Sequence, residues 1–290
     1  MGLRIRFFAT MGAHTVLAAG TFLLGKAATE QFPVLTLGFV RFALASLFFL
    51  ALVRLRGLDL RGPWRQDRRA FLLAGVLGVF LNQVGFLWGL KLTLPSHAAL
   101  LYALTPTLVL LFGWIRGTER PTLRKMAGIL LAFSGVAVLF SGRQAALPPT
   151  WVWGDLLVLA AVAAWAGYTV VSRPLVLRHG PERSTALSIL VGSALFLPLG
   201  LGSLPGFRWA GIPQAAWIGA VYLGLVASVV MYLLWFHALR LQEPSRVAIA
   251  ANGQPILTAL LGWAFLGQAI TPAFGVGALL VISGVVLSQI

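Results

Sequence analysis

Apolar residues run through this chain in blocks of about 20, broken by short polar stretches that carry most of its arginines. That block length matches an α-helix crossing ~30 Å of hydrocarbon at 1.5 Å per residue. Ten spans are predicted, at about residues 7–27, 34–53, 70–90, 94–115, 123–141, 151–172, 184–203, 213–237, 245–266 and 272–289. The blocks are apolar throughout and do not alternate in ~10-residue segments, which argues against a transmembrane β-barrel. The connections are too short to hide a soluble domain. Composition agrees, with 59% apolar and 10% charged residues, against ~25% charged in an average soluble domain. The expected class is an all-α membrane protein whose first partner is the lipid bilayer.

One stretch occurs twice. Shifting the chain by 149 residues lays Pro95–Leu139 on Pro244–Ser288 without a gap, with 15 of 45 positions identical. Pro106 meets Pro255, Gly113-Trp114 meets Gly262-Trp263, Gly128 meets Gly277, and Ser134-Gly135-Val136 meets Ser283-Gly284-Val285. A period of half the chain is too long for a solenoid and fits a two-fold transporter architecture. The halves are 1–145 and 146–290, with five spans each. Five is odd, so the second half enters the membrane from the opposite face, giving ten transmembrane helices as two inverted five-helix repeats. Gly20 and Lys26 match Gly167 and Arg173 at an offset of 147. The first span thus has a twin in the sixth and is expected to be retained rather than cleaved as a signal peptide.

The net charge of +15 would suggest nucleic acid in a soluble protein, but the placement of the charges gives another reading. Of 22 Lys and Arg, 17 fall on one side of the predicted topology, four (Lys26, Lys91, Arg143, Arg208) on the other, and Arg41 inside a span. The positive-inside rule then makes both termini cytoplasmic, and the basic loops face anionic lipid, with no nucleic-acid partner. The chain has no cysteine, which removes disulfides and thiolate chemistry and leaves the redox compartment open. Its four histidines show no metal-ligand spacing and no carboxylate partner in sequence, and neither a G-x-S-x-G elbow nor a phosphate loop is present. No cofactor is expected, and a membrane enzyme is the weaker alternative to a transporter.

With its ten spans in 5+5 inverted repeats, Glu119 nine residues before Gly128, the closing-helix Ser-Gly pairs and Arg41-Phe42 in the second span, the chain resembles the EamA-type branch of the drug/metabolite transporter superfamily. It is most similar there to bacterial aromatic amino acid exporters. The resemblance implies a multi-pass protein of the bacterial inner membrane. It departs from the pattern at Gln268, which stands where the first half has Glu119. Small multidrug exporters of the superfamily exchange protons through a buried first-span Glu, whereas this chain has His14 in that span. All seven acids are expected at helix ends or in loops. Uniport, with coupling through His14 at most, is therefore favoured over proton-coupled cation exchange.

Polar groups at membrane depth need partners or water, so they mark candidate sites. His14, Ala18, Thr21 and Gly25 share a face of the first span. Arg41 lies eight residues past Pro33, roughly 12 Å deep, where it binds either substrate or neighbouring helices. Asn82 and Gln83 come from the third span and Tyr102 from the fourth. Trp165 and Tyr168 lie on one face of the sixth, Tyr232 and Trp235 on one face of the eighth, and Asn252 with Gln254 in the ninth. Pro106 and Pro255 are candidate hinges, each eleven residues past a helix-start proline, and each should free the carbonyl four residues back. Aromatic faces, amides and no acid suit a small neutral or zwitterionic solute, so export of amino acids, aromatic ones especially, is favoured over efflux of drugs or other metabolites. Spans five and ten carry small residues (Gly128, Ser134 and Gly135; Gly275, Gly277, Ser283 and Gly284) with almost nothing else polar, and are expected to form a scaffold or a homodimer contact.

Overall fold

The computed structural model describes residues 2–117, 122–141 and 150–289. These form fourteen α-helical segments and two π-helical stretches, with no strand among the described residues. Eight helical runs are long and apolar enough to cross a membrane, and a shorter apolar helix covers Pro272–Ser288.

In the first half the helices are α1 (Leu3–Gln31), α2 (Val34–Leu55), α3 (Arg61–Ala74), α4 (Asn82–Leu92), α5 (Pro95–Tyr102), α6 (Thr105–Ile115) and α7 (Leu123–Ser141). In the second half they are α8 (Trp151–His179), α9 (Pro181–Gly202), α10 (Gln214–Val221), α11 (Met231–Leu241), α12 (Pro244–Ala250), α13 (Gln254–Leu266) and α14 (Pro272–Gln289). The π stretches, Gly75–Leu81 and Tyr222–Val230, join α3 to α4 and α10 to α11. Prolines start α5, α9, α12 and α14, where a missing N–H costs no helical bond. α3 begins well before the apolar block does. Asp59 accepts hydrogen bonds from the backbone N–H groups of Arg61 (2.9 Å) and Gly62 (3.1 Å), capping the polar lead-in.

Spans matched by the shift pack against each other antiparallel. α5 packs on α13 and α6 on α12, so the start of one span meets the end of its twin. Gly128 of α7 touches Gly284 and Ser288 of α14, while Gly135 touches Gly277 and Val281. A Cβ on Gly135 would stand 2.7 Å from the Gly277 carbonyl oxygen, so only glycine permits this approach. These small residues face each other within one chain. α2 and α9 also run antiparallel, with Thr36 bonded to Ser203 at one end and Arg56 paired with Glu182 (2.5 Å) at the other. The remaining close pairs, α4 with α8 and α1 with α10 and α11, tie each half to the other.

Candidate functional site

At the centre, α1, α2, α4, α5, α8, α11 and the α12–α13 break enclose a cavity of about 80 Å³. His14, Ala18 and Thr21 of α1 line it as one face, with Phe22 beside them; Gly25, the next position on that face, packs instead on Leu90 and Leu223. Arg41, Asn82, Gln83, Tyr102, Trp165, Tyr232 and Trp235 complete the wall, with Gln254 and Pro255 from the α12–α13 break.

A fixed polar chain runs along it. Asn82 Nδ2 donates to Tyr102 Oη (2.7 Å) and to the Ala161 carbonyl (2.8 Å), which sets the orientation of the amide. Asn82 Oδ1 then accepts from Gln83 Nε2, which also donates to Tyr232 Oη (3.1 Å). Tyr232 in turn donates to the carbonyl of Gly78, inside the first π stretch (2.6 Å). Both amide hydrogens of Gln83 are thereby committed, and its Oε1 is buried with no partner among the described residues.

Arg41, 2% exposed, lines the same cavity. Its Nε donates to Ser228 Oγ (2.6 Å), its guanidinium carbon lies 5.4 Å from the Phe42 ring centroid, and its Nη1 has no partner among the described residues. Ser228 donates to the Leu223 carbonyl, five residues back in the second π stretch (2.9 Å). Among the described residues no carboxylate lines the cavity. A buried cation without a counter-ion is costly in a low-dielectric interior and favours an anionic group beside it.

Aromatic rings form the rest of the wall in two groups. Trp165 packs against Trp235 (5.2 Å between centroids) and Tyr232 (5.3 Å), and His14 against Trp235 (5.1 Å). Phe22, Phe86 and Tyr102 meet edge to face at 5.7–5.9 Å. Such a lining offers apolar and π contacts to a ring or an aliphatic body.

Two candidates lie elsewhere. Tyr168 is fully buried behind the wall, its ring in the space that a side chain on Gly78 would need. Asn252 sits in the α12–α13 turn and does not line the cavity, whereas its neighbours Ala251 and Gln254 do. Pro106 and Pro255 are not kinks inside continuous helices. Each lies in the first turn of a new helix after a short break, and neither carbonyl expected to be free is free. Tyr102 O accepts from Thr105 Oγ1 (2.7 Å), and Ala251 O from the Gln254 N–H (3.0 Å).

Histidine and acid pairing differs from expectation, because partners distant in sequence meet in space. His97 pairs with Asp155 (2.9 Å), which accepts from Thr93 Oγ1 (2.5 Å), and both ionisable side chains are buried. His179 and Arg178 pair with Asp67 at 2.6–2.7 Å. Asp155 is thus a buried carboxylate near the start of α8, outside the cavity. Glu119 lies outside the described residues.

The sequence profile of the EamA-like transporter family matches residues 9–141 and again 152–289. The chain is 29% identical over 275 residues to an "uncharacterized transporter" of Archaeoglobus fulgidus, covering 93% of this chain and 92% of that one. It is 31% identical over 231 residues to a "probable terminal-alkyne amino-acid exporter" of Streptantibioticus cattleyicolor, covering 79% and 76%. It is 25% identical over 272 residues to the "uncharacterized inner membrane transporter YedA" of Escherichia coli K12, covering 91% and 84%. A protein crystal structure, 23% identical, superposes with a TM-score of 0.70 over 98% of this chain and 97% of that one, which shows a shared fold. With the family profile covering both halves of an apolar, all-helical chain, this protein belongs to the EamA-like transporter family.

Proposed function

We propose that the protein is a secondary transporter that exports amino acids, neutral ones with an apolar or aromatic body in particular, across the bacterial cytoplasmic membrane by alternating access. The observation that carries this reading is the presence, in the wall of one cavity, of Arg41 with no acid beside it among the described residues and of Gln83, whose Oε1 has no partner among them. A carboxylate meets Arg41, an ammonium group meets Gln83, and the side chain lies against the rings of Trp165 and Trp235. The named exporter of Streptantibioticus cattleyicolor supports the same substrate class.

Ten spans in two inverted repeats supply the motion. The antiparallel packing of α5–α6 on α12–α13, of α7 on α14 and of α2 on α9 supports inversion, because each pair joins spans equivalent under the shift. The excess of Arg on one side supports cytoplasmic termini. A homodimer would use the outer faces of α7 and α14, where Leu130, Val276 and Leu279 are exposed.

Counterflow in proteoliposomes tests the substrate. With labelled phenylalanine inside, unlabelled neutral amino acids outside should drive exchange, and aromatic cations should not. Exchange with aromatic cations alone would replace the amino-acid reading with drug efflux. Single cysteines in this cysteine-free chain test orientation, since a cysteine at Gly62 should resist labelling from outside.

A further inference from the structure

A second concavity, of about 490 Å³, lies on the outer surface of the bundle, behind the wall of the central cavity. Leu77 and Leu81 of the first π stretch form one side and Phe112 and Arg116 of the α6 end the other, while α8 from Ala160 to Val171 forms the floor. Among the described residues that line it, Arg116 alone is not apolar.

Contacts fix how this groove runs along the helices. Asn82 is bonded to Ala161, and a Cβ on Gly167 would meet Leu77 at 3.3 Å, so Leu81 and Leu77 descend beside α8 in that order. The His97–Asp155 pair sets the starts of α5 and α8 level, so α6 and α8 descend together toward Arg116 and Val171. The groove therefore begins at the depth of the central site and ends at an exposed arginine. From Ala160 to Val171 the floor is about 16 Å long at 1.5 Å per residue, close to half of the ~30 Å hydrocarbon layer.

An apolar trough one leaflet deep, with a cation at its headgroup end, fits one ligand chemistry. We propose that it binds an anionic phospholipid of the leaflet on the side of Arg116, with an acyl chain along α8 and the phosphate paired to Arg116. The lipid would brace α8, whose opposite face carries Trp165 into the central cavity. This site depends neither on the solute carried nor on which face is cytoplasmic.

Photo-crosslinking in proteoliposomes tests it, with phosphatidylglycerol bearing a diazirine in its acyl chain. Adducts should concentrate on Phe112 and on α8 between Ala160 and Val171. Unlabelled phosphatidylglycerol should compete about five-fold better than phosphatidylcholine, the worth of one arginine near an anionic surface. Arg116→Gln should erase that preference without removing the adducts, whereas Ala163→Phe should fill the groove and remove them. If Ala163→Phe does not fold, the competition experiment on Arg116→Gln decides alone. Adducts spread evenly over exposed helices at the same depth would overturn the proposal, as would equal competition by both lipids in the unaltered protein. Displacement of the adducts by the transported amino acid would also overturn it, assigning the groove to the solute.

Discussion

Replacing Arg41 with Gln separates a binding role from a structural one, because the two roles predict opposite changes in stability. Among the described residues the side chain, 2% exposed, is held by one hydrogen bond, to Ser228, and by the face of Phe42, and no acid lines the cavity. As a purely structural group it would be a poor one, since a buried cation without a counter-ion destabilises the fold. Arg41→Gln should therefore leave the melting temperature in detergent unchanged or raised. For a carboxylate seated against it, losing one partner of a buried charge pair costs about 2–5 kcal/mol. At about 1.4 kcal/mol per decade, that weakens apparent affinity at least ~30-fold. Counterflow with phenylalanine, set beside the weak inhibition of that counterflow by phenylalanine amide, isolates the effect, because the amide lacks the carboxylate and its inhibition should respond little. Arg41→Lys should recover only part of the loss, as a compact ammonium cannot reproduce the guanidinium fork held by Ser228. A lowered melting temperature together with equal losses for acid and amide would refute the assignment and make Arg41 an interhelical strut.

Three further outcomes follow from the geometry. Asp155→Ala removes the buried acceptor that Thr93 and His97 share and should cost about 1–3 kcal/mol, whereas Glu182→Ala breaks an exposed pair worth at most ~1 kcal/mol; equal melting shifts, read by tryptophan fluorescence, would contradict this. Gly284→Leu should abolish monodisperse elution in size-exclusion chromatography, because its side chain would strike the backbone of Gly128 and Ala132, while Gly275→Leu, with open space around it, should elute normally. If the α5–α6 break is a moving joint, Thr105→Val should change the turnover rate more than Pro106→Ala, since Thr105 and not the proline ring occupies the Tyr102 carbonyl; unchanged rates in both variants would make the break static.

Much of the helical frame is legible in the sequence, because a membrane span needs only length and apolarity. The ends of those helices are not. α3 begins at Arg61 and α8 continues through Pro174 to His179. Hydropathy stops sooner at both places, since Asp59 caps one lead-in and Asp67 docks Arg178 and His179 on the other. Helical periodicity puts Trp165 and Tyr168 on one face, yet only Trp165 reaches the cavity. The absent side chain at Gly78 lets the Tyr168 ring sink between helices, and no local pattern encodes that. His97 and Asp155 stand 58 residues apart, and neither carries a signal that names the other. Gln83 and Arg41 were visible as costly polar residues, but which of their atoms would be left unpaired depended on the bonds made by Asn82, Tyr232 and Ser228.

The two π stretches were equally invisible, being runs of glycine and apolar residues, yet they connect the halves to the site. Shifted by 149 residues, Gly75–Leu81 falls inside Tyr222–Val230, so the same irregularity recurs at equivalent depth. π turns close bonds five residues apart, strain the helix and cluster at functional positions. Here each one serves a residue of the opposite half. Gly78, in the first half, accepts from Tyr232, which positions Gln83, while Leu223 and Ser228, in the second half, hold Arg41 of the first. A zwitterion bridging Arg41 and Gln83 would thus rest on bonds that cross between the halves in both directions. Any motion that slides one half past the other must break or exchange those bonds. Solute binding and the relative position of the halves would then be coupled through two hydroxyl groups, those of Tyr232 and Ser228. This coupling would require no carboxylate in the cavity wall, where none is found among the described residues.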